Sequence, residues 1–146
     1  MRSARDHLDR HFTEPTDLAA AAAIAGLSKF HFHRLFSATY GVTPADYLTR
    51  RRIERAHDLL RATNLTVTEV CFAVGYSSLG SFSSRFKALV GETPSAVQRA
   101  HAASGAPRVP GCFVFMRGLA HRRPPAGGAG EGETGRTDSA SEEKRR

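Results

Sequence analysis

Gly41-Val42-Thr43-Pro44 recurs fifty residues later as Gly91-Glu92-Thr93-Pro94, and each copy follows a phenylalanine pair, Phe32 with Phe36 and Phe82 with Phe86. Self-similarity over this distance marks a tandem duplication of one small supersecondary unit, and every other element has to fit around two copies of it. The signals inside each copy are helical. Asp17 is a good N-cap for Leu18 to Ala25, whose alanine run combines high helix propensity with little bulk, and Gly26 ends that segment. Ser28 caps the next helix, residues 29–40, which Gly41 stops. In the second copy Thr66 and Glu69 form a capping box for Val67 to Val74, Gly75 ends that helix, and Ser77 or Ser78 caps one running over 79–90.

The segments between and around the copies follow the same logic. Leu8 and Phe12 lie one turn apart in a first short helix over residues 4–12, closed by Thr13-Glu14-Pro15. Thr43 and Pro44 supply an N-cap and an N1 proline for a longer helix to about Ala62, with Tyr47, Leu48, Ile53, Ala56, Leu59 and Leu60 at core spacing. Thr93-Pro94 launches a last helix to about Ala103. The sequence thus predicts an all-α fold of seven helices: a first helix-turn-helix at 17–41, a connector helix at 44–62, a second helix-turn-helix at 66–91 and a last helix at 94–103, together one domain over 1–103. Residues 104–126 read as an extension. Its apolar island from Val109 to Met116 reads as a strand or as a docking segment. Residues 127–146 hold Gly, Glu, Ser and Arg with almost nothing to bury, and are expected to be a disordered tail.

Composition narrows the partner. Twenty-one Lys and Arg against fourteen Asp and Glu give a net charge of +7, which suits a polyanion. Residues 1–100 hold 13 basic and 9 acidic side chains, so the excess is not confined to the tail. At 146 residues there is room for one modest core or two small ones, and none for a large enzyme domain. Cys71 and Cys112 form neither a metal quartet nor a disulfide framework, which points to a reducing, cytoplasmic setting with Cys71 as a small core residue. No apolar run is long enough to span a bilayer, and no secretory leader is visible. His7 and His11 are one turn apart, but no further ligands complete a metal site. No phosphate loop, nucleophile elbow or paired-carboxylate cleft is present, so neither a catalytic role nor a cofactor is expected.

On the helix at 29–40, the 100° period assigns Phe32, Leu35, Phe36 and Thr39 to one face and Phe30, His33, Arg34 and Ser37 to the other. The first set suits a core. In the second, Arg34 has the planar fork that bonds guanine O6 and N7, His33 can reach a base edge or phosphate, and Phe30 can lie against thymine methyls. The bland alternative packs Phe30 on Tyr40 or the connector helix and leaves Arg34 as a solvated charge. The matching face of the second copy is Gly80, Ser81, Ser83, Ser84 and Lys87: small, and poor in specific donors. Phosphate contact is expected from Ser28, Lys29, Ser77, Ser78, Arg85 and Lys87 and from Arg50, Arg51 and Arg55 on the connector, where some arginines should instead pair with Glu54, Asp58 or Asp46.

These motifs, from Leu18-Ala19 through Gly26-Leu27-Ser28, Phe32-His33-Arg34-Leu35-Phe36 and Gly41-Val42-Thr43-Pro44 to Val74-Gly75-Tyr76-Ser77-Ser78, Phe82-Ser83-Ser84-Arg85-Phe86-Lys87 and Gly91-Glu92-Thr93-Pro94, resemble the DNA-binding domain of the AraC/XylS family of bacterial transcription regulators over about residues 4–103. The resemblance implies two helix-turn-helix subdomains on one connector helix, with both recognition helices in successive major grooves on one DNA face. A connector of about eighteen residues spans roughly 27 Å, in keeping with the ~34 Å groove repeat. It carries base reading onto Phe30, His33 and Arg34 and onto Gly80, Ser81 and Ser84, the last standing where many relatives have a basic residue. It also implies a sequence-specific regulator of the compact, stand-alone kind, binding promoter DNA as a monomer with RNA polymerase as its further partner. A nonspecific or architectural DNA binder and a DNA alkyl-repair enzyme are the alternatives.

Overall fold

A computed structural model of the protein describes residues 1–15 and 17–112. The expected tail at 127–146 and the island residues 113–116 lie outside the described residues. Within them the chain forms seven helices: α1 (Arg2–Arg10), α2 (Leu18–Ile24), α3 (Lys29–Tyr40), α4 (Pro44–Ala62), α5 (Val67–Ala73), α6 (Leu79–Val90) and α7 (Pro94–Ala103).

The helix starts are built from side-chain caps. Asp17, Ser28, Thr43, Thr66, Ser78 and Thr93 each accept a hydrogen bond from a backbone N–H of the first turn of α2 to α7, and Glu69 closes a capping box with Thr66. α1 starts earlier and ends earlier than the sequence suggests. Its C-cap is His11, so Phe12 leaves the helix, and its carbonyl turns to accept from the Arg52 guanidinium of α4.

Two cores result. Ala4, Leu8, Ala21, Ala22, Phe32, Phe36 and Leu48 bring α1, α2 and α3 onto the first turns of α4. Ile53, Ala56, Leu59 and Leu60, further along α4, join Leu65, Val70, Cys71, Val74, Phe82, Phe86 and Val97 in the second. One 19-residue helix, about 28 Å long, therefore serves both cores and holds them apart. Burial pushes the Cys71 thiol up to about 11, as suits an inert core residue.

The extension turns back onto the second core. Val109 forms a single parallel bridge with Thr63, the Gly111 amide donates to the Asn64 side chain, and Arg108 donates to the Gln98 carbonyl. Among the described residues the island shows one isolated bridge at Val109 and no strand. Cys112 is exposed at its end.

Candidate nucleic-acid interface

α3 packs through Phe32 and Phe36, both fully buried, with Phe36 against the rings of Tyr40 and Tyr47. The inward line therefore runs 32, 36, 40, with Tyr40 half-buried, and this corrects the face expected from the sequence. Leu35 is 45% exposed, Thr39 is exposed and bonds back to the Leu35 carbonyl, and Ser37 turns its hydroxyl inward. Aromatic stacking toward Tyr40 and Tyr47 decides the direction, because those rings offer more contact than the small side chains on the other flank.

Phe30 is 71% exposed on the first turn of α3, one turn before Arg34. His33 and Arg34 are exposed as well, so all three expected base readers stand in solvent. The alternative in which Phe30 packs against Tyr40 or α4 does not hold. Burying a phenylalanine is worth about 1.5–3 kcal/mol, so folding alone gives no reason to leave this one out. His31, on the same turn and fifty residues before Ser81, is exposed as well.

α6 repeats the packing with Phe82 and Phe86 fully buried, and with the Tyr76 ring edge-on to Phe82. Gly80, Ser81 and Ser84 are exposed, while Ser83 is half-buried. Leu79, at the first position of α6, is 43% exposed. It occupies the counterpart of Lys29, a position with no core to enter.

The expected phosphate contacts divide. Ser28 and Ser78 accept from the amides of His31 and Ser81, so each fixes the open first turn of a recognition helix. Lys29, Ser77, Arg85 and Lys87 are exposed. On α4, Arg50 is exposed on the rim of an open cleft of about 490 Å³ with Ile53, Glu54, His57, Leu89 and Val90, and it makes no ion pair among the described residues. Arg51 instead donates to Asp9 at 2.9 Å and to Glu54 at 3.0 Å, so these donors are committed inside the protein. Arg55 is half-buried and engaged within the chain. Among the described residues no cluster of His, Cys, Asp and Glu is arranged to hold a metal ion, although the His7 and His11 rings stack at 4.4 Å. No helix of the described residues is long and apolar enough to cross a membrane.

Two capped helix pairs on one connector, each exposing the outer face of its second helix, find their counterpart among known proteins. Residues 21–100, more than half of the chain, match the family profile described as a helix-turn-helix domain. The chain belongs to the AraC/XylS family of DNA-binding transcription regulators. The DNA-binding domain of AdpA, solved in complex with a target DNA, superposes with a TM-score of 0.66 at 27% identity, covering 71% of this chain and 94% of that one. The transcriptional activator AarP of Providencia stuartii is 34% identical over 88 residues, 60% of this chain and 65% of AarP. The bifunctional transcriptional activator and DNA repair enzyme AdaA of Bacillus subtilis is 31% identical over 90 residues, 62% of this chain and 43% of AdaA. The matched segment spans less than two thirds of the length of these curated relatives.

Proposed function

We propose that this AraC/XylS-family protein is a sequence-specific regulator that reads a bipartite duplex site with one chain, α3 in one major groove and α6 in the next. The observation that carries the proposal is the outward cluster of Phe30, His33 and Arg34, an exposed aromatic beside two hydrogen-bonding side chains on the second helix of a helix-turn-helix. Arg34 supplies a bidentate donor for guanine, Phe30 an apolar surface for a thymine methyl, and His33 a third contact. In the second groove Gly80 permits close approach, and Ser81 and Ser84 bond whichever base is presented. Lys29, Arg50, Arg85 and Lys87, with the hydroxyls of Ser28, Ser77 and Ser78, hold the phosphates, while Arg55 is already engaged within the chain. Arg51, occupied by two carboxylates, is left out of that set. At a promoter the DNA-bound chain has RNA polymerase as its protein partner.

Selection from a randomised duplex library tests this reading. Wild type should recover a two-part motif with more information in one half. Arg34→Ala should lower discrimination at that half by about 1–3 kcal/mol, and Ser84→Ala should change little. A library returned without sequence enrichment would mean an architectural binder. Two chains per site in sedimentation would overturn single-chain reading.

A further inference from the structure

Arg52 lies on α4 between two arginines assigned above to other tasks, yet it turns inward. Its Nε donates to the Phe12 carbonyl, its Nη2 donates to the Glu14 carbonyl at 2.8 Å, and its guanidinium lies 5.9 Å from the centre of the Tyr76 ring. Phe12 and Glu14 belong to the segment leaving α1, whose Leu8 shares a core with Phe32 and Phe36 of α3. Tyr76 follows the turn of the second head and packs 5.4 Å from Phe82 of α6. A continuous path of contacts therefore links the back of one recognition helix to the back of the other through Arg52.

Gly75 lies at the same junction. A Cβ built on it would collide with the Thr13 backbone oxygen, and Thr13 is only 5% exposed. The turn of the second head thus touches the segment leaving α1 backbone to backbone. No equivalent contact surrounds Gly26, whose added Cβ would meet open space. A single connector helix fixes the distance between two heads but leaves their bend and twist to the stiffness of that helix. A second contact beside the connector removes that freedom.

We propose that Arg52, with Tyr76 and the Gly75–Thr13 contact, is a positioning device that sets the half-site spacing the protein accepts. It rests on the two-groove reading above. One base pair added between half-sites moves the second by about 3.4 Å and rotates it by about 35°, so locked heads lose one groove while hinged heads recover it.

The experiment uses the full chain and four duplexes: the selected bipartite site, the same site with one base pair inserted or removed between its halves, and the preferred half alone. Wild type should lose about tenfold or more on either altered spacing, comparable to a mismatched contact. Arg52→Met keeps the apolar stem and removes the donors. It should bind all three spacings within about threefold of one another while keeping the base preference of the preferred half. Tyr76→Leu removes the aromatic face and should loosen spacing in the same way, and thermal melting confirms that each variant is folded. A folded Arg52→Met and a folded Tyr76→Leu that both keep the wild-type spacing profile, with only a uniform loss of affinity, would overturn the proposal. Wild type indifferent to spacing, or as tight on the half-site as on the whole, would instead overturn the two-groove reading, and the positioning role with it.

Discussion

Gly26 in the first head and Gly75 in the second both end a helix at positive φ, 68° and 90°, yet they answer to different demands. Around Gly26 there is space for a side chain, so glycine is needed there only for its backbone angle. At Gly75 the Thr13 carbonyl occupies the place a Cβ would take. The same contrast runs through the recognition helices. α3 and α6 share a serine cap, a buried phenylalanine pair and a glycine stop, but one presents Phe30, His33 and Arg34 and the other Leu79, Gly80, Ser81 and Ser84. Duplication preserves what folds each unit and leaves its outer surface free to diverge.

The largest effect that would break this comparison is on stability. Gly26→Ala should cost about 1–2 kcal/mol, the penalty of a left-handed angle with a Cβ. Gly75→Ala adds a backbone collision to that angle, and overpacking of this kind costs a further 1–3 kcal/mol or so, for about 3 kcal/mol in all. Urea denaturation of the two variants measures the difference. Equal losses would show that the segment around Thr13 gives way, and that the heads are less firmly joined than their contacts imply.

A smaller effect concerns DNA. Ser84 is exposed and stands fifty residues after Arg34, so Ser84→Arg gives the second head the fork that the first already has. On the two-groove reading it should sharpen the weaker half of the selected motif by about 1–3 kcal/mol of base discrimination and leave the stronger half unchanged. Competition between single-base variants of the site reads this out. A uniform rise in affinity without sharper preference would mean that position 84 faces phosphate.

How much of this was legible follows the range of each interaction. The caps at Asp17, Ser28, Thr43, Thr66, Ser78 and Thr93 lie within three residues of the amides they bind, and the sequence alone places all of them but Ser78, where it leaves Ser77 or Ser78 open. The buried phenylalanines follow from repeat and period. The inward edge of α3 was misjudged at Leu35 and Ser37, because a helical wheel gives the width of a face and not the direction of its heaviest neighbours, here Tyr40 and Tyr47. Arg51 with Asp9 and Arg52 with Phe12 join residues about forty positions apart. No local pattern announces such contacts, and in a row of three arginines the sequence cannot say which one turns inward. The candidate readers were accessible for the opposite reason: a phenylalanine off the core line of a capped helix stands out against its neighbours.

The smallest effect separates the joints that hold the outer helices in place, α1 onto α4 and α7 onto the segment that leaves α4. In the first head the Tyr47 hydroxyl donates to Asp9 at 2.8 Å, and Asp9 also accepts from Arg51, so α1 is tied through charge. In the second head the Gln98 amide donates to the Leu65 carbonyl at 2.6 Å, a joint with no titrating group. Burial, then the hydrogen bond and the charge of Asp9, push the Tyr47 phenol from 10.0 up to about 12. The fold therefore favours the neutral phenol. That contribution is fully present below the unfolded value near pH 10 and is lost as pH rises through about 12. Because the bond is half-buried and solvent still reaches Asp9, Tyr47→Phe should cost about 1 kcal/mol at neutral pH. The gap between wild type and variant should stay constant from about pH 6 to about pH 9 and close between about 10 and 12. Gln98→Leu should cost a similar amount, about 1 kcal/mol, with a gap that does not follow pH. Urea midpoints across this range give both gaps. A Tyr47→Phe gap that persists unchanged at pH 12 would show that what the hydroxyl contributes does not depend on its ionisation, and the two joints would then be alike.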